Sequence, residues 1–298
     1  MPFLCNLCPR ECSALRAGEA PGRGKGFCRM GEKPALARMA LHFDEEPCIS
    51  GENGSGAVFF SGCSLKCVFC QNDLISRGCF GREIGVESLR KGYFDLIEQG
   101  AHNINLVNPT HYARAIRESL QGGLPVPVVW NSGGYEKVET LKELEGMVQV
   151  YLPDLKYIDE KSGRDFSAAP NYFRYAAPAL KEMLRQAGRV RLDENGMIRS
   201  GVIVRHLILP GHAEESMRIL DWIRENMEGA WVSLMAQYVP FGRATSIEGL
   251  NRRLTEEEYE KVVDHMLDIG LEDGYVQELS SGDEKYIPAF DLTGVPKE

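Results

Sequence analysis

The 298-residue sequence predicts an α/β fold on a parallel sheet, shaped as a complete or partial barrel, behind an irregular cysteine-rich segment. Three observations carry that prediction. From residue 57 onward, short apolar, β-prone runs alternate with amphipathic stretches, the pattern of repeated strand and helix units. Six such units follow in succession, and a parallel barrel connects them most economically, with its chemistry at the C-terminal strand ends. All nine cysteines, at 5, 8, 12, 28, 48, 63, 67, 70 and 79, fall before that pattern is well under way.

Residues 1–56 are rich in Gly, Pro, Arg and Cys and hold neither helical nor strand periodicity for long. A segment of that length seldom keeps its shape without a staple, so 1–56 reads as a metal-tied module and 57–298 as the barrel with a C-terminal extension. The first strand is AVFFSG (57–62), stopped by Gly62 just before a group of cysteines. GVESLRKGYFDLIEQG (85–100) puts Val86, Leu89, Tyr93, Leu96 and Ile97 at helical spacing and ends on Gly100. NINLVN (103–108) reads as the second strand and HYARAIRESLQGG as its helix. VPVVWNSGG (126–134) is a strand running into a glycine turn, followed by the helical KVETLKELEG (137–146). VQVYLPDLKY is the fourth strand, with a helical stretch over 170–187. GVIVRHLILPG (201–211) and AEESMRILDWIREN form the fifth unit. AWVSLMAQYVP (230–240) opens the sixth, whose helix TEEEYEKVVDHMLDIG starts on a capping box of Thr255 and Glu258.

Composition is that of an ordinary globular chain: 43% hydrophobic, 26% charged, mean hydropathy −0.26. The formal charge of −9 argues against wrapping nucleic acid through a general basic surface. No apolar run approaches the roughly 18 residues that span a bilayer. The start MPFLCNLCPR lacks the charged and apolar regions of a secretory signal, which predicts a cytoplasmic protein with no membrane partner. In that compartment an odd, one-sided set of cysteines points to metal rather than to disulfides.

In SGCSLKCVFCQN (61–72) the cysteines Cys63, Cys67 and Cys70 are spaced C-x3-C-x2-C in the loop that leaves the first strand. Cysteine thiolates ligate [4Fe-4S] clusters, and three of them leave one iron without a protein ligand. The plainer readings are a structural zinc completed by Cys79 or a histidine, His102 being the nearest downstream, and a ferredoxin-type cluster completed by Cys79.

The string CSLKCVFC resembles the signature of the radical S-adenosylmethionine (SAM) superfamily, with Phe69 where that family places an aromatic beside the adenine. The resemblance implies that SAM chelates the open iron, that reductive cleavage yields a 5′-deoxyadenosyl radical, and that a partial (β/α)6 barrel holds both. Asp154 and Lys156 in YLPDLKY alternate onto one strand face. They resemble the D-x-K of pyruvate formate-lyase activating enzymes, whose lysine approaches the SAM carboxylate, although a structural ion pair has the same form. WNSGG occupies the place of the family's third-strand turn, which offers Asn131 and Ser132 as hydrogen-bonding groups and Gly133 for close approach. Arg205 resembles the activases' barrel-facing arginine, while His206 points to the opposite face. Gln237 or Tyr238 marks the sixth strand end. The family's glutamate after the second strand is missing from LVNPTHY, which leaves Asn108, Thr110 or nearby carbonyls for that contact.

Cys5, Cys8, Cys12 and Cys28 could close a second site, zinc or cluster. Cys48, just before the first strand, reads as a buried thiol, an alternative ligand or a site-facing residue, packing being the most frequent role of a lone cysteine. Together with CNLCPREC, NPTHY and the ending YVQELSSGDEKYIPAFDLTG, these motifs resemble the pyruvate formate-lyase activating enzyme-like subgroup over nearly the whole chain. Membership of that subgroup implies an external electron donor such as flavodoxin or ferredoxin and a protein or peptide substrate. A small-molecule or nucleic-acid substrate, or a non-catalytic iron-sulfur or zinc protein, is the alternative.

Overall fold

The computed structural model describes residues 2–281 and 288–297. Part of the C-terminal motif, 282–287, lies outside them. The chain opens on a small antiparallel pair, β1 (Phe3–Leu4) and β2 (Leu15–Arg16). Next come β3 (Ala35–His42) and a short helix, α1 (Pro47–Ser50). Residues 35–50 therefore differ from the expected irregular module. β3 lies antiparallel to β4 (Ser55–Phe60), with Met39 opposite Val58 and Ala40 opposite Ala57.

A short helix, α2 (Asp73–Ser76), and a short strand, β5 (Arg82–Glu83), follow. Then the strand and helix units run as expected: α3 (Val86–Glu98), β6 (Ile104–Val107), α4 (Ala113–Ser119), β7 (Val128–Ser132), α5 (Val138–Lys142) and β8 (Val150–Pro153). Two helices, α6 (Glu160–Ser167) and α7 (Tyr172–Ala187), fill the next connection, where the periodicity predicts one. They lead past β9 (Arg191–Leu192) to β10 (Ile198–Leu207), α8 (Ala213–Asn226), β11 (Trp231–Met235), α9 (Glu256–Asp268) and β12 (Gly274–Val276). The expected capping box is present at α9, where Thr255 and Glu258 satisfy each other's backbone N–H.

The main sheet runs β12-β11-β10-β8-β7-β6-β4-β3-β5, parallel from β4 to β12. Among the described residues it is open, with edges at β12 and β5, and does not close into a barrel. Outward-facing Leu106, Trp130, Tyr151 and Val204 pack under the helices in the main core. On the concave face α1 plugs the lower half: Cys48 and Ile49 pack against Val129, Val150, Leu152 and Ile203. Of the roles the sequence left open for Cys48, the structure gives it that of a packing residue. Above this apolar plug the concave face turns polar, and the sheet's C-terminal ends open on the cysteine loop.

Candidate functional site

Gly62 turns the chain out of β4 at φ +81°, and a Cβ there would meet Met30 Cγ at 2.3 Å. Only glycine fits that corner. The loop that follows is laid against the end of α6: the Lys66 amide donates to the Ser167 carbonyl at 3.2 Å and the Val68 amide to Phe166 at 2.8 Å. Each sulfur then has a polar neighbour. Cys63 Sγ accepts from the Leu65 amide at 3.3 Å. Cys67 Sγ lies 2.9 Å from the Ser167 hydroxyl, and Cys70 Sγ 3.3 Å from the Ser76 hydroxyl.

Burial and the neighbouring cysteines push the Cys63 thiol up to about 12 and the Cys70 thiol up to about 11. These two sulfurs resist ionisation on their own, so a bound cation would be what turns them into thiolates and displaces their protons. They border a cavity of about 160 Å³ with Asn108, Ser132 and Gly133 in its wall. That is room for about five waters at ~30 Å³ each, more than a single ion needs. A tetrahedral zinc at about 2.3 Å from each sulfur would draw the sulfurs to within roughly 4 Å of each other. Among the described residues no group of three or more His, Cys, Asp or Glu side chains is gathered to hold a metal ion in that way. Neither alternative fourth donor reaches the loop: Cys79 Sγ faces the Cys28 carbonyl at 3.9 Å, and His102 accepts from the Asn53 amide. The donor set fits a group wider than zinc with a corner to spare.

A second chamber of about 270 Å³ adjoins the first, sharing Cys67, Cys70, Asn131, Asp154 and Lys156. Phe69 lines it and meets Tyr238 edge to face at 5.9 Å. Lys156 Nζ donates to Asp154 at 2.5 Å. Burial works against the ammonium, but the adjacent carboxylate holds its pKa well above the usual lysine range. The Tyr172 hydroxyl ties the two strand ends together, donating to the Gly133 and Asp154 carbonyls at 2.9 and 2.7 Å and accepting from the Lys156 amide at 3.0 Å. Gly134, at φ +72°, lets that turn close, since a Cβ would lie 2.1 Å from the Asp154 carbonyl. Gln237 also lines the outer chamber.

Other expected contacts fall differently. Arg205 faces the chamber, but its guanidinium is engaged by Glu45 and Glu46: Nε donates to Glu46 at 2.7 Å and Nη2 to both carboxylates. Glu45 also accepts from Asn105 at 2.8 Å and from Asn131 at 3.2 Å. Burial opposes ionisation of Glu46, yet Arg205 holds its carboxyl below the usual range. Glu45 and Glu46 escaped the sequence reading because EEP in a loop looks like a solvated acidic run. Thr110 needs correcting, for its hydroxyl is buried and donates to Glu136 at 2.6 Å, away from both chambers. The second-strand end offers Asn108 alone, whose side-chain amide donates to the Gly62 carbonyl at 2.5 Å. His206 is a satisfied core histidine between the Leu155 carbonyl and Ser216.

At the N-terminus burial raises the Cys8 thiol to about 12, with the charges of Cys28, Cys5 and Cys12 adding to it. The other three thiols are thus near enough to act on Cys8 electrostatically, although they too are not gathered as a metal-ion site among the described residues. A Cβ on Gly26 would meet Cys12 Sγ at 3.2 Å and Cys28 Sγ at 4.0 Å, so that glycine keeps the space between them open.

No family model matches the chain. An uncharacterized protein of Methanocaldococcus jannaschii is 33% identical over 270 residues, covering 87% of this chain and 73% of that one. Among solved structures, Streptococcus suis SuiB bound to its precursor peptide SuiA superposes with a TM-score of 0.49 at 13% identity, over 72% of this chain. This chain spans 46% of SuiB, just under half. A mutant spore photoproduct lyase gives 0.49 at 13% identity, over 81% of this chain and 80% of that one.

Proposed function

The chain belongs to the family of the Methanocaldococcus jannaschii protein, and we propose that it is a radical SAM enzyme of the activase-like kind. Cys63, Cys67 and Cys70 would hold a [4Fe-4S] cluster whose fourth ligand is SAM. The observation that carries this reading is the set of three thiols, with no fourth protein donor among the described residues, around a cavity that adjoins a chamber walled by Phe69, Asp154 and Lys156. Bound there, cluster and cofactor supply one-electron cleavage of SAM and hydrogen-atom abstraction from a substrate.

The chain's own residues bind and orient. Lys156, kept cationic by Asp154, offers an ammonium to the cofactor carboxylate. Phe69, fixed by Tyr238, presents a ring to the adenine. Asn131, Ser132 and Gly133 hold the third-strand turn close to the cavity, and Gln237 borders the far side. Arg205, neutralised by Glu45 and Glu46, serves this site as a rigid floor more than as a free cation. The outer chamber reaches the exposed Asp44 at the surface, which suits a protein or peptide substrate that stays largely outside. Cys5, Cys8, Cys12 and Cys28 would hold a second metal group, zinc or cluster. A flavodoxin or ferredoxin would supply electrons in the cytoplasm.

Anaerobically reconstituted protein given SAM and dithionite should form 5′-deoxyadenosine. No product from protein with an intact cluster would sink the reading. Cys67→Ala should abolish both the product and the loop cluster while leaving metal at the N-terminal cysteines, as iron, sulfide and zinc analysis would show. Isotope transfer from a labelled candidate substrate into 5′-deoxyadenosine identifies the substrate.

A further inference from the structure

Arg10 lies between Cys8 and Cys12, yet its guanidinium leaves the N-terminal segment and enters the cysteine loop. Nε donates to the Ser64 carbonyl at 2.7 Å, Nη1 to Ala168 at 2.5 Å and Nη2 to Ser167 at 3.3 Å. The plane is fixed from the side by Phe27, whose ring centre is 3.8 Å away, and by Tyr135 at 5.2 Å. Phe27 directly precedes Cys28, so the grip is made by residues from two separate cysteine-bearing stretches of the N-terminal segment.

The three carbonyls belong to two segments with no covalent reason to stay together. Ser64 is in the loop between Cys63 and Cys67. Ser167 and Ala168 end α6, where Ala168 turns left-handed at φ +52°. Carbonyl dipoles that converge repel one another, and a planar five-donor fork is the side chain that satisfies several at once. Ser167 carries the consequence to the chemistry, because its hydroxyl lies 2.9 Å from Cys67 Sγ and 2.8 Å from the Tyr157 hydroxyl. Hydrogen bonds to ligand sulfurs are among the levers that set a cluster's potential. On the loop's other side Arg77 donates to the carbonyls of Lys66 and Cys67, and Arg29 donates to Arg77 in turn at 3.4 Å.

We infer that Arg10 is a positioning residue, through which the cysteine-rich N-terminal segment sets the geometry and sulfur hydrogen bonding of the Cys63–Cys70 loop. The inference rests on the proposed cluster only for its spectroscopic consequence. The hold on the loop exists without metal.

The test uses the full chain as wild type, Arg10→Ala, Arg10→Lys and, as a control, the exposed Arg23→Ala. In metal-free protein, hydrogen exchange at the Lys66 and Val68 amides should speed up roughly tenfold or more in both Arg10 variants, as loss of charge-assisted bonds implies. Amides of the sheet at Leu106 and Trp130 should keep their protection. After reconstitution the Arg10→Ala cluster should show a shifted EPR spectrum and reduction potential and lose iron to a chelator faster. Lysine should not restore these properties, because it keeps the charge and loses the fork. Unchanged exchange at the two amides, a fall in protection spread over the whole sheet, or an unchanged spectrum in the loaded variant would overturn the inference. A wild type that takes up no cluster instead defeats the proposed function, and the exchange result still decides whether Arg10 pins the loop.

Discussion

Glu136 is shut away from water, with the Thr110 hydroxyl at 2.6 Å and the Trp130 indole N–H at 3.3 Å on the same carboxylate oxygen. Burial pushes its carboxyl up from 4.5 to about 7. The folded state therefore holds a proton that the unfolded state has released, so stability falls as pH rises between those two values and levels off above the higher one. The loss should be about 3 kcal/mol for a fully buried group. Urea midpoints measured from pH 4.5 to 8 should show that decline in the wild type and lose it in Glu136→Gln, and a decline that persists in the variant would assign it elsewhere. Glu136 was illegible in the sequence for the same reason that Thr110 was misplaced. Both belong to a pairing across two strand ends, and no local pattern announces which hydroxyl meets which carboxyl. Asp154 and Lys156 were legible, because a period of two is a property of the strand itself.

At the level of elements the same division holds. Helices α3, α8 and α9 follow from apolar residues at helical spacing, and the capping box at Thr255 marks a helix start from sequence alone. β3 does not follow. Its sequence ALARMALH consists largely of good helix formers, and the segment is a strand because it lies along β4 over most of that strand's length. α1 is only four residues long, with no periodicity to read, yet it supplies the fully buried Ile49 to the concave face. Ile49→Ala should cost about 2–5 kcal/mol, the range for emptying a core site, and should do so without altering the helices outside the sheet. Chemical denaturation monitored by far-UV circular dichroism measures that cost. A loss below about 1 kcal/mol would mean that the plug closes over the gap.

For the whole molecule, the expected succession of six units is present, extended by β3 and β5 at one edge and by β12 at the other. The count of units left the sheet's closure undecided, because closure depends on strand tilt and on what covers the edges; the open sheet agrees with the partial barrel that the resemblance implied. The N-terminal segment is joined to this sheet by specific contacts: Arg16, buried, donates to the Gly31 and His111 carbonyls, and Thr140 donates to Leu7 at 2.9 Å. Segment and sheet should unfold together. In metal-free protein, the loss of Trp130 burial followed by fluorescence and the exposure of the buried Cys8 and Cys28 followed by thiol labelling should fall on one transition. Labelling that precedes the fluorescence change would make the segment a separate unit.

The floor beneath the outer chamber joins Glu45 to Arg205, residues 160 apart in the chain. At synthesis rates of about 5–20 residues per second, the arginine follows the glutamate by on the order of ten to thirty seconds. The three thiols of the loop are made early in that interval and spend the rest of it facing a wall not yet made. A nascent chain can thus present its cysteines to stray metal or oxidant well before the strand that carries the arginine exists, and the pocket gains its selectivity only with the later strands. The chaperoning of the thiols in that interval falls to the cell rather than to the fold.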